Sequence, residues 1–127
     1  MKSARAEIDI AKPSDAVWAV VSDFGGLANW VPVIDSCVLN GADRVIVTER
    51  GSVTERLVSS DEDRRVLVYR IVEGHPATFH RGTITVTPSN DDSHVTWDVE
   101  VEPDEMADPM QQAYQGFLQA LKTYVGG

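Results

Sequence analysis

The run Trp30-Val31-Pro32-Val33-Ile34-Asp35-Ser36-Cys37 marks the place where the sequence changes from helical to strand periodicity. From Ile34 onward the pattern is typical of β-strands for about 70 residues. The same run places one carboxylate, Asp35, among apolar side chains. A carboxylate in apolar surroundings needs a partner, water or a chemical role. Asp35 is therefore the first candidate functional residue.

Six strands are predicted after this point, and turn signals such as Asn40-Gly41 and Arg50-Gly51 separate them. Their predicted ranges are Ile34–Asn40, Asp43–Glu49, Ser52–Ser59, Arg65–Val72, Phe79–Thr87 and Ser93–Glu102. The spacing is even and no helical pattern intervenes. Because parallel strands need long crossover connections, this arrangement predicts an antiparallel meander.

The segments on either side of the meander complete the predicted fold. Alternation over residues 4–11 indicates a first strand, and Lys12-Pro13-Ser14-Asp15 ends it and starts a short helix. A second short helical piece is expected at residues 27–30, and residues 103–125 have the period of a long helix. An antiparallel sheet of seven strands must twist and curl, and the long helix is the large apolar element left to cover its concave face.

The sequence therefore predicts one α+β domain over residues 1–127. Its seven-stranded antiparallel sheet would curl around the long C-terminal helix, with two short helices after the first strand. A curled sheet around a helix leaves an internal cavity, which side chains or a ligand must fill.

Composition restricts the partners that this domain can have. The chain has 127 residues, 43% of them apolar, and a formal net charge of −9, so nucleic acid and anionic membranes are not expected to bind it. No apolar run approaches the roughly 20 residues needed to span a bilayer. The single cysteine, Cys37, cannot form an internal disulfide, which favours a reducing cytoplasm. Both a monomer and a homodimer remain possible.

Short motifs spread along the chain resemble one known superfamily. They are Pro13-x-x-x-Val17-Trp18, Trp30-x-Pro32-x-Ile34, Glu55-Arg56-Leu57 followed by Asp61, Tyr69-x-Ile71, Pro76 and Thr96-Trp97. In this order and spacing, the chain resembles the START-like helix-grip superfamily (SRPBCC). That superfamily includes polyketide cyclases/dehydrases, the major birch pollen allergen and lipid-transfer START domains. The resemblance covers nearly the whole chain and implies the same cavity-forming fold.

A closer local likeness is to the plant abscisic acid receptors, through Ile34-Asp35-Ser36-Cys37, Thr54-Glu55-Arg56-Leu57 and Gly74-His75. The likeness implies that eight residues face the cavity: Asp35, Val45, Val47, Glu55, Tyr69, Ile71, His80 and Trp97. The receptors carry a lysine at the position of Asp35, and their gate loop is shortened here to Arg50-Gly51-Ser52. An abscisic acid receptor is therefore not expected. The exchange of lysine for Asp35 favours a ligand with a hydroxyl, an amine or another donor over a carboxylate.

Alternation along the strands gives an independent reading of several of these positions. Glu55 shares a strand face with Val53 and Leu57, although Glu55 could instead be solvated if Arg56 and Val58 define the inner face. His80 and Trp97 each alternate with apolar residues and are expected inside, as core residues or as part of the cavity wall. On the long helix, three residues are expected to be core or cavity lining: Met110, Ala113 and Phe117.

Asp35, Glu55 and His80 would together form an acid–acid–imidazole set in an apolar cavity. Such a set could perform general acid–base catalysis, or it could bind the polar end of a ligand or ordered water. The leading hypothesis is binding of a small, mostly hydrophobic or aromatic ligand, with Tyr69 also orienting its polar groups. The alternatives are a polyketide-type aromatase/cyclase or dehydratase, and an interaction module whose cavity is filled by its own side chains.

Motifs for other chemistry are missing from the sequence. There is no Gly-rich phosphate loop, no Cys-x-x-Cys and no Gly-x-Ser-x-Gly elbow. The three histidines and the acids follow no recognised spacing of metal ligands. We therefore expect neither a cofactor nor a metal.

Overall fold

The seven predicted strands form one antiparallel sheet in the computed structural model, which describes residues 1–127. The strands are β1 (Lys2–Ile10), β2 (Ser36–Asn40), β3 (Asp43–Thr48), β4 (Gly51–Asp61), β5 (Val66–Glu73), β6 (Phe79–Ser89) and β7 (Asp92–Glu102). Their order across the sheet is β1-β7-β6-β5-β4-β3-β2. The predicted meander is therefore confirmed, and β1 joins it by pairing with β7 along the register Lys2↔Val101 to Ile10↔Ser93.

The helices are α1 (Ser14–Val21) and the 19-residue α2 (Ala107–Val125), with short 3₁₀ helices at Phe24–Asn29 and Asp104–Met106. The second short helical piece, expected at residues 27–30, begins three residues earlier, at Phe24, and includes Gly25 and Gly26. Gly25 lies close to β2. A Cβ there would come within 2.9 Å of the Leu39 side chain, which would have to shift to make room.

The hydrophobic core lies between the sheet and α2. From β7, alternate residues Val95, Trp97, Val99 and Val101 point into it and are almost fully buried. From α2, the buried residues are Ala107, Tyr114, Leu118 and Leu121. The helix ends at Gly126, whose left-handed φ of 82° lets its N–H bond the carbonyls of the last turn.

Irregular pairing bends the middle of the sheet. The register between β4 and β5 shifts twice, between Thr54 and Glu55 and between Leu57 and Ser59. Such bulges increase local twist and re-aim the side chains beside them. The first shift brings Glu55 opposite Ile71, at the place where the sheet faces α2.

None of the helices combines the length and the apolarity that crossing a bilayer requires.

Candidate functional site

A cavity of about 280 Å³ lies between the inner face of the sheet, the first 3₁₀ helix and α2. Most of its wall is apolar. The apolar and aromatic lining residues are Leu27, Val33, Ile34, Ile46, Val53, Tyr69, Ile71, Trp97, Met110, Ala113, Tyr114 and Phe117. The polar ones are Arg44, Thr48, Arg50, Glu55 and His75. An apolar cavity with a few convergent polar groups has the usual composition of a small-molecule site.

A larger and shallower groove of about 510 Å³ runs on the outside, between the first 3₁₀ helix and α2. Its walls include Trp30, Pro32, Gly116 and Tyr124. None of its lining side chains is an acid, a base or a histidine. The internal cavity, which holds the ionisable groups, is therefore the better candidate site.

Seven of the residues predicted from the sequence do border this cavity: Glu55, Tyr69, Ile71, Trp97, Met110, Ala113 and Phe117. Their roles in binding or catalysis stay predictions. His80 is 1% exposed and does not reach the cavity surface. It lies behind Tyr114, in contact with the Tyr114 hydroxyl.

Three predicted cavity residues lie elsewhere, and their placement was wrong. Asp35 and Val47 are exposed, Val45 is half-buried, and none of them borders the cavity. The physical reason is the facing of β3, where Arg44 and Ile46 point inward and their alternating neighbours point outward. Asp35 precedes β2, and its backbone N–H donates to the Val47 carbonyl at 2.8 Å at this edge of the sheet. Because Asp35 is exposed and outside the cavity, its carboxylate does not disfavour a carboxylate ligand there.

A buried ion pair joins β3 to β4 at the cavity wall. The Arg44 side chain, on a residue 2% exposed, donates from Nε and Nη2 to the same oxygen of Glu55, Oε1, at 2.9 and 2.7 Å. Nη1 donates to the Phe24 carbonyl at 3.0 Å, and the guanidinium lies 3.9 Å from the centre of the Phe24 ring. This pairing explains why a charged β3 residue points inward, because a buried guanidinium requires several acceptors.

Glu55 keeps one oxygen free of this pair. Oε2 accepts no hydrogen bond from the chain, whereas every fully buried side-chain polar atom has a partner. Oε2 therefore keeps some accessible surface, and Glu55 borders the cavity. Burial raises the pKa of Glu55 above its ordinary value, and the charge of Arg44 opposes that rise. A carboxylate oxygen is thus available to a molecule in the cavity.

A chain of hydrogen bonds runs beside the ion pair. The Trp97 Nε1–H donates to Tyr69 Oη at 3.0 Å, Tyr69 Oη lies 3.1 Å from Tyr114 Oη, and Tyr114 Oη lies 2.9 Å from His80 Nε2. At its far end, the Ile71 backbone N–H donates to His80 Nδ1 at 3.1 Å. The Trp97 and Tyr114 rings are stacked, with centroids 4.3 Å apart and planes 11° from parallel. The chain therefore fixes the two phenols at the cavity wall.

Burial determines the protonation of this chain. It lowers the pKa of His80 to about 4, with smaller contributions from His75 and Arg70, so His80 is neutral at pH 7. Burial also raises the pKa values of Tyr69 and Tyr114 above their ordinary value, with the nearby Glu55 charge adding to the rise. Both phenols keep their protons at neutral pH and can donate hydrogen bonds.

A glycine makes room for the Tyr69 ring. Gly82 of β6 pairs with Tyr69 across the sheet. A Cβ at Gly82 would come within 2.4 to 2.7 Å of the Tyr69 ring and hydroxyl. The ring therefore lies directly on the sheet backbone, and this close approach aims its hydroxyl at Tyr114 and Trp97.

The other two histidines, His75 and His94, are not part of the Trp97–Tyr69–Tyr114–His80 hydrogen-bond chain. His75 borders the cavity near the loop after β5, where its Nδ1 accepts from the Ala77 N–H at 3.1 Å, and burial lowers its pKa. His94 is partly exposed and contacts Asp9 and Glu7 on the outer face of the sheet. No three His, Cys, Asp or Glu residues are grouped so that they could hold a metal ion.

The sequence reading missed Arg44, whose role depends on a cross-strand partner. Arg44 and Glu55 lie directly opposite each other in the β3–β4 hairpin. The pairing of Thr48 with Gly51 fixes that register. The turn predicted at Arg50-Gly51 would have placed Arg44 opposite Leu57, whereas the actual turn at Glu49-Arg50 places it opposite Glu55. A correctly placed turn is the signal that could have found this cross-strand pair.

The model of the polyketide cyclase / dehydrase and lipid transport family matches residues 1–126. The chain belongs to this family. No curated protein matches the chain. The family match, together with solved structures of similar fold, confirms the predicted membership of the START-like superfamily.

Solved structures of low sequence identity have the same fold as this chain. The crystal structure of an uncharacterised protein from Bacillus thuringiensis is 24% identical with a TM-score of 0.91, over 99% of this chain and 100% of that chain. A START superfamily protein from Mycobacterium smegmatis is 18% identical with a TM-score of 0.83, over 98% and 97%. Norcoclaurine synthase from Thalictrum flavum is 19% identical with a TM-score of 0.77, over 98% and 93%. At these identities the likeness shows the helix-grip fold.

Proposed function

We propose that this domain binds a small, mostly apolar molecule in the internal cavity. The observation that carries the proposal is the cavity of about 280 Å³, whose walls are mainly aliphatic and aromatic. Ligand pockets usually range from about 300 to 1,000 Å³, so this cavity is near the lower limit and suits a ligand of about two or three aromatic rings. Apolar burial would supply most of the affinity, at about 25 cal/mol per Å².

The polar groups would orient the ligand. Glu55 offers a free carboxylate oxygen, and Tyr69 and Tyr114 offer hydroxyl groups. The family description, which covers lipid transport as well as cyclases and dehydrases, agrees with binding of an apolar molecule.

Uptake of the neutral fluorophore N-phenyl-1-naphthylamine tests the proposal. We expect its fluorescence to rise on binding and to saturate at one molecule per chain. Ile71→Trp places a large side chain at the cavity wall and should abolish uptake. Val72→Trp is the matched control, because Val72 is the next residue of β5 and is 42% exposed on the outer face. Equal uptake by both variants would contradict binding in the cavity.

Acid–base catalysis, as in a cyclase or dehydratase, is a second candidate function. One observation favours it: the free Oε2 of Glu55 in an apolar cavity, with burial raising the pKa of this carboxyl group. A carboxylate in such surroundings is a stronger base than one in water. The acid–acid–imidazole set predicted from the sequence does not assemble, because Asp35 is exposed and His80 lies behind Tyr114.

Elimination of 5-nitrobenzisoxazole is a probe for this base. Glu55 would take the ring C–H proton while the ring N–O bond breaks, which gives 2-cyano-4-nitrophenolate. We expect Glu55→Gln to abolish the protein-dependent rate and to retain fluorophore uptake, because the amide oxygen can still accept from Arg44. Glu73→Gln, at an exposed position of β5, is the control. Equal rates in the native protein and Glu55→Gln would contradict a catalytic Glu55.

Nucleic acid is not part of the proposed function, since the net charge of −9 opposes binding of a polyanion. We also propose a cytoplasmic location, because the one cysteine has no internal partner for a disulfide.

A further inference from the structure

The hydrogen-bond chain beside the cavity has one donor proton too many. Its four members are the Trp97 indole, the Tyr69 and Tyr114 hydroxyls and the His80 imidazole. Three contacts join them, from Trp97 to Tyr69, from Tyr69 to Tyr114 and from Tyr114 to His80. Each contact uses one proton. The number of donor protons therefore decides whether every proton has an acceptor among these four groups.

The protonation of His80 is fixed by its other neighbour. Its Nδ1 accepts a hydrogen bond from the Ile71 backbone N–H, which can only donate. Neutral His80 therefore carries its single proton on Nε2, the nitrogen that faces Tyr114 Oη. Trp97 Nε1 also can only donate. Both ends of the chain are donors directed inward, toward the two phenol oxygens.

The two phenols add one proton each, so four donor protons share three contacts. One phenol hydroxyl donates to the other. The proton of that second hydroxyl has no acceptor among the four groups of the hydrogen-bond chain. The surplus proton belongs to Tyr114 when Tyr69 donates, and to Tyr69 when Tyr114 donates. Both residues border the cavity. No hydrogen bond joins either phenol to another side-chain acceptor, Glu55 included. A buried donor normally has an acceptor, so a molecule in the cavity is needed to supply one.

The charges around the phenols indicate which acceptor fits. The Arg44 cation lies 5.2 Å from the centre of the Tyr69 ring, and it is already paired with Glu55. Glu55 borders the same cavity with an oxygen that Arg44 does not bind, and the other cation of the wall, Arg50, is an exposed residue of the turn between β3 and β4. An anionic acceptor at the phenols would therefore lie near a carboxylate, with no unpaired buried cation beside it. A neutral acceptor, such as a carbonyl oxygen, avoids repulsion by that carboxylate.

We propose that the ligand of this cavity carries a carbonyl oxygen, which accepts the surplus phenol proton of the Tyr69–Tyr114 pair. This inference rests on the proposed function, because it names the chemical class of the cavity ligand. The carbonyl end would lie at the two phenols, and the apolar remainder would lie against Ile71, Met110 and Phe117.

Two probes that differ at one atom test this proposal. They are 2-acetylnaphthalene and 2-isopropenylnaphthalene, in which a CH₂ group replaces the carbonyl oxygen. We expect both to bind the native protein. The infrared carbonyl band of bound 2-acetylnaphthalene should lie at lower frequency than in hexane, because a hydrogen bond weakens the C=O bond.

Substitution of the phenols should separate the two probes. In Tyr69→Phe/Tyr114→Phe, we expect 2-acetylnaphthalene to lose about tenfold in affinity and its carbonyl band to return to the hexane position. Affinity for 2-isopropenylnaphthalene should change less than about twofold, which also shows that the variant is folded. If the double variant does not fold, the band in the native protein decides. Tyr124→Phe is the matched control, since Tyr124 is 52% exposed and lies outside the cavity.

The outcomes separate this inference from the proposed function. If both probes bind and the carbonyl band is at its hexane position, the inference is overturned and the cavity remains a binding site. If neither probe binds, the proposed function is overturned, and the inference with it.

Discussion

His80 shows how one buried side chain can make the stability of this fold depend on pH. It is neutral in the folded protein, with a pKa lowered from 6.5 to about 4 by burial. In the unfolded chain it would titrate near its ordinary value. Between these two pH values the unfolded state binds more protons than the folded state. The free energy of unfolding therefore falls as the pH falls from about 6.5 to about 4.

We predict that His80→Asn flattens this dependence. The Asn side-chain oxygen can still accept from the Ile71 N–H, but it cannot be protonated in this range. The native protein should lose about 2 to 3 kcal/mol more stability than the variant between pH 6.5 and pH 4. Urea unfolding at a series of pH values measures the difference. A variant with the same pH slope as the native protein would show that His80 is not the group responsible.

The inward direction of His80 and Trp97 could be predicted because each alternates with apolar neighbours on its strand. For Glu55, alternation left both faces open, and the family resemblance favoured the cavity. The direction of Asp35 could not be predicted, because it precedes the first residue of β2 and no strand alternation applies to it. Arg44 was missed for a related reason. Its burial depends on a partner on the next strand, which a single-strand pattern does not reveal.

Among the elements, β6 accommodates the Tyr69 ring because Gly82 has no side chain. A Cβ at Gly82 would lie 2.4 Å from the ring, a separation that real Cβ atoms essentially never show. The ring is fully buried and cannot move into solvent. Any substitution at Gly82 must therefore displace the centre of the hydrogen-bond chain.

We predict that Gly82→Ala lowers the free energy of unfolding by about 1 to 3 kcal/mol, the usual cost of overpacking a core. Gly116→Ala is the matched control, because Gly116 lies inside α2 and a Cβ there would meet nothing within 4 Å. That substitution should stabilise the protein by about 0.5 to 1 kcal/mol through helix propensity. Urea unfolding of both variants measures the effect. Similar stability changes in the two would contradict the proposed packing of Tyr69 on β6.

Most elements could be predicted because their patterns are regular and turn residues separate them. The facing of β3 could not, since Val45, Ile46 and Val47 are all apolar and both faces look alike. The structure decides it through Arg44, which needs Glu55 as a partner. The predicted start of β2 at Ile34 is also two residues early, because the Ile34 N–H closes a turn on the Val31 carbonyl at 3.1 Å.

For the whole molecule, one long helix and one curled sheet explain both the core and the cavity. Leu118 and Leu121 fill the space between α2 and the sheet at one end and are fully buried. Toward the other end, Met110, Ala113 and Phe117 border open space instead. The order of elements predicted this architecture. The volume and polar contents of the cavity depend on the facing of β3 and on Gly82, which only the folded chain reveals.

The most direct test of ligand binding in the internal cavity is to locate the bound molecule. Methyl NMR spectra would be recorded while N-phenyl-1-naphthylamine is titrated into the native protein. We expect the methyl signals of Ile71, Met110 and Ala113 to shift and to saturate at one equivalent, while those of Val58 and Val72 stay in place, since both are exposed and outside the cavity. Shifts confined to Ala28 and Ala120, which line the outer groove, or no shifts at all, would contradict binding in the internal cavity.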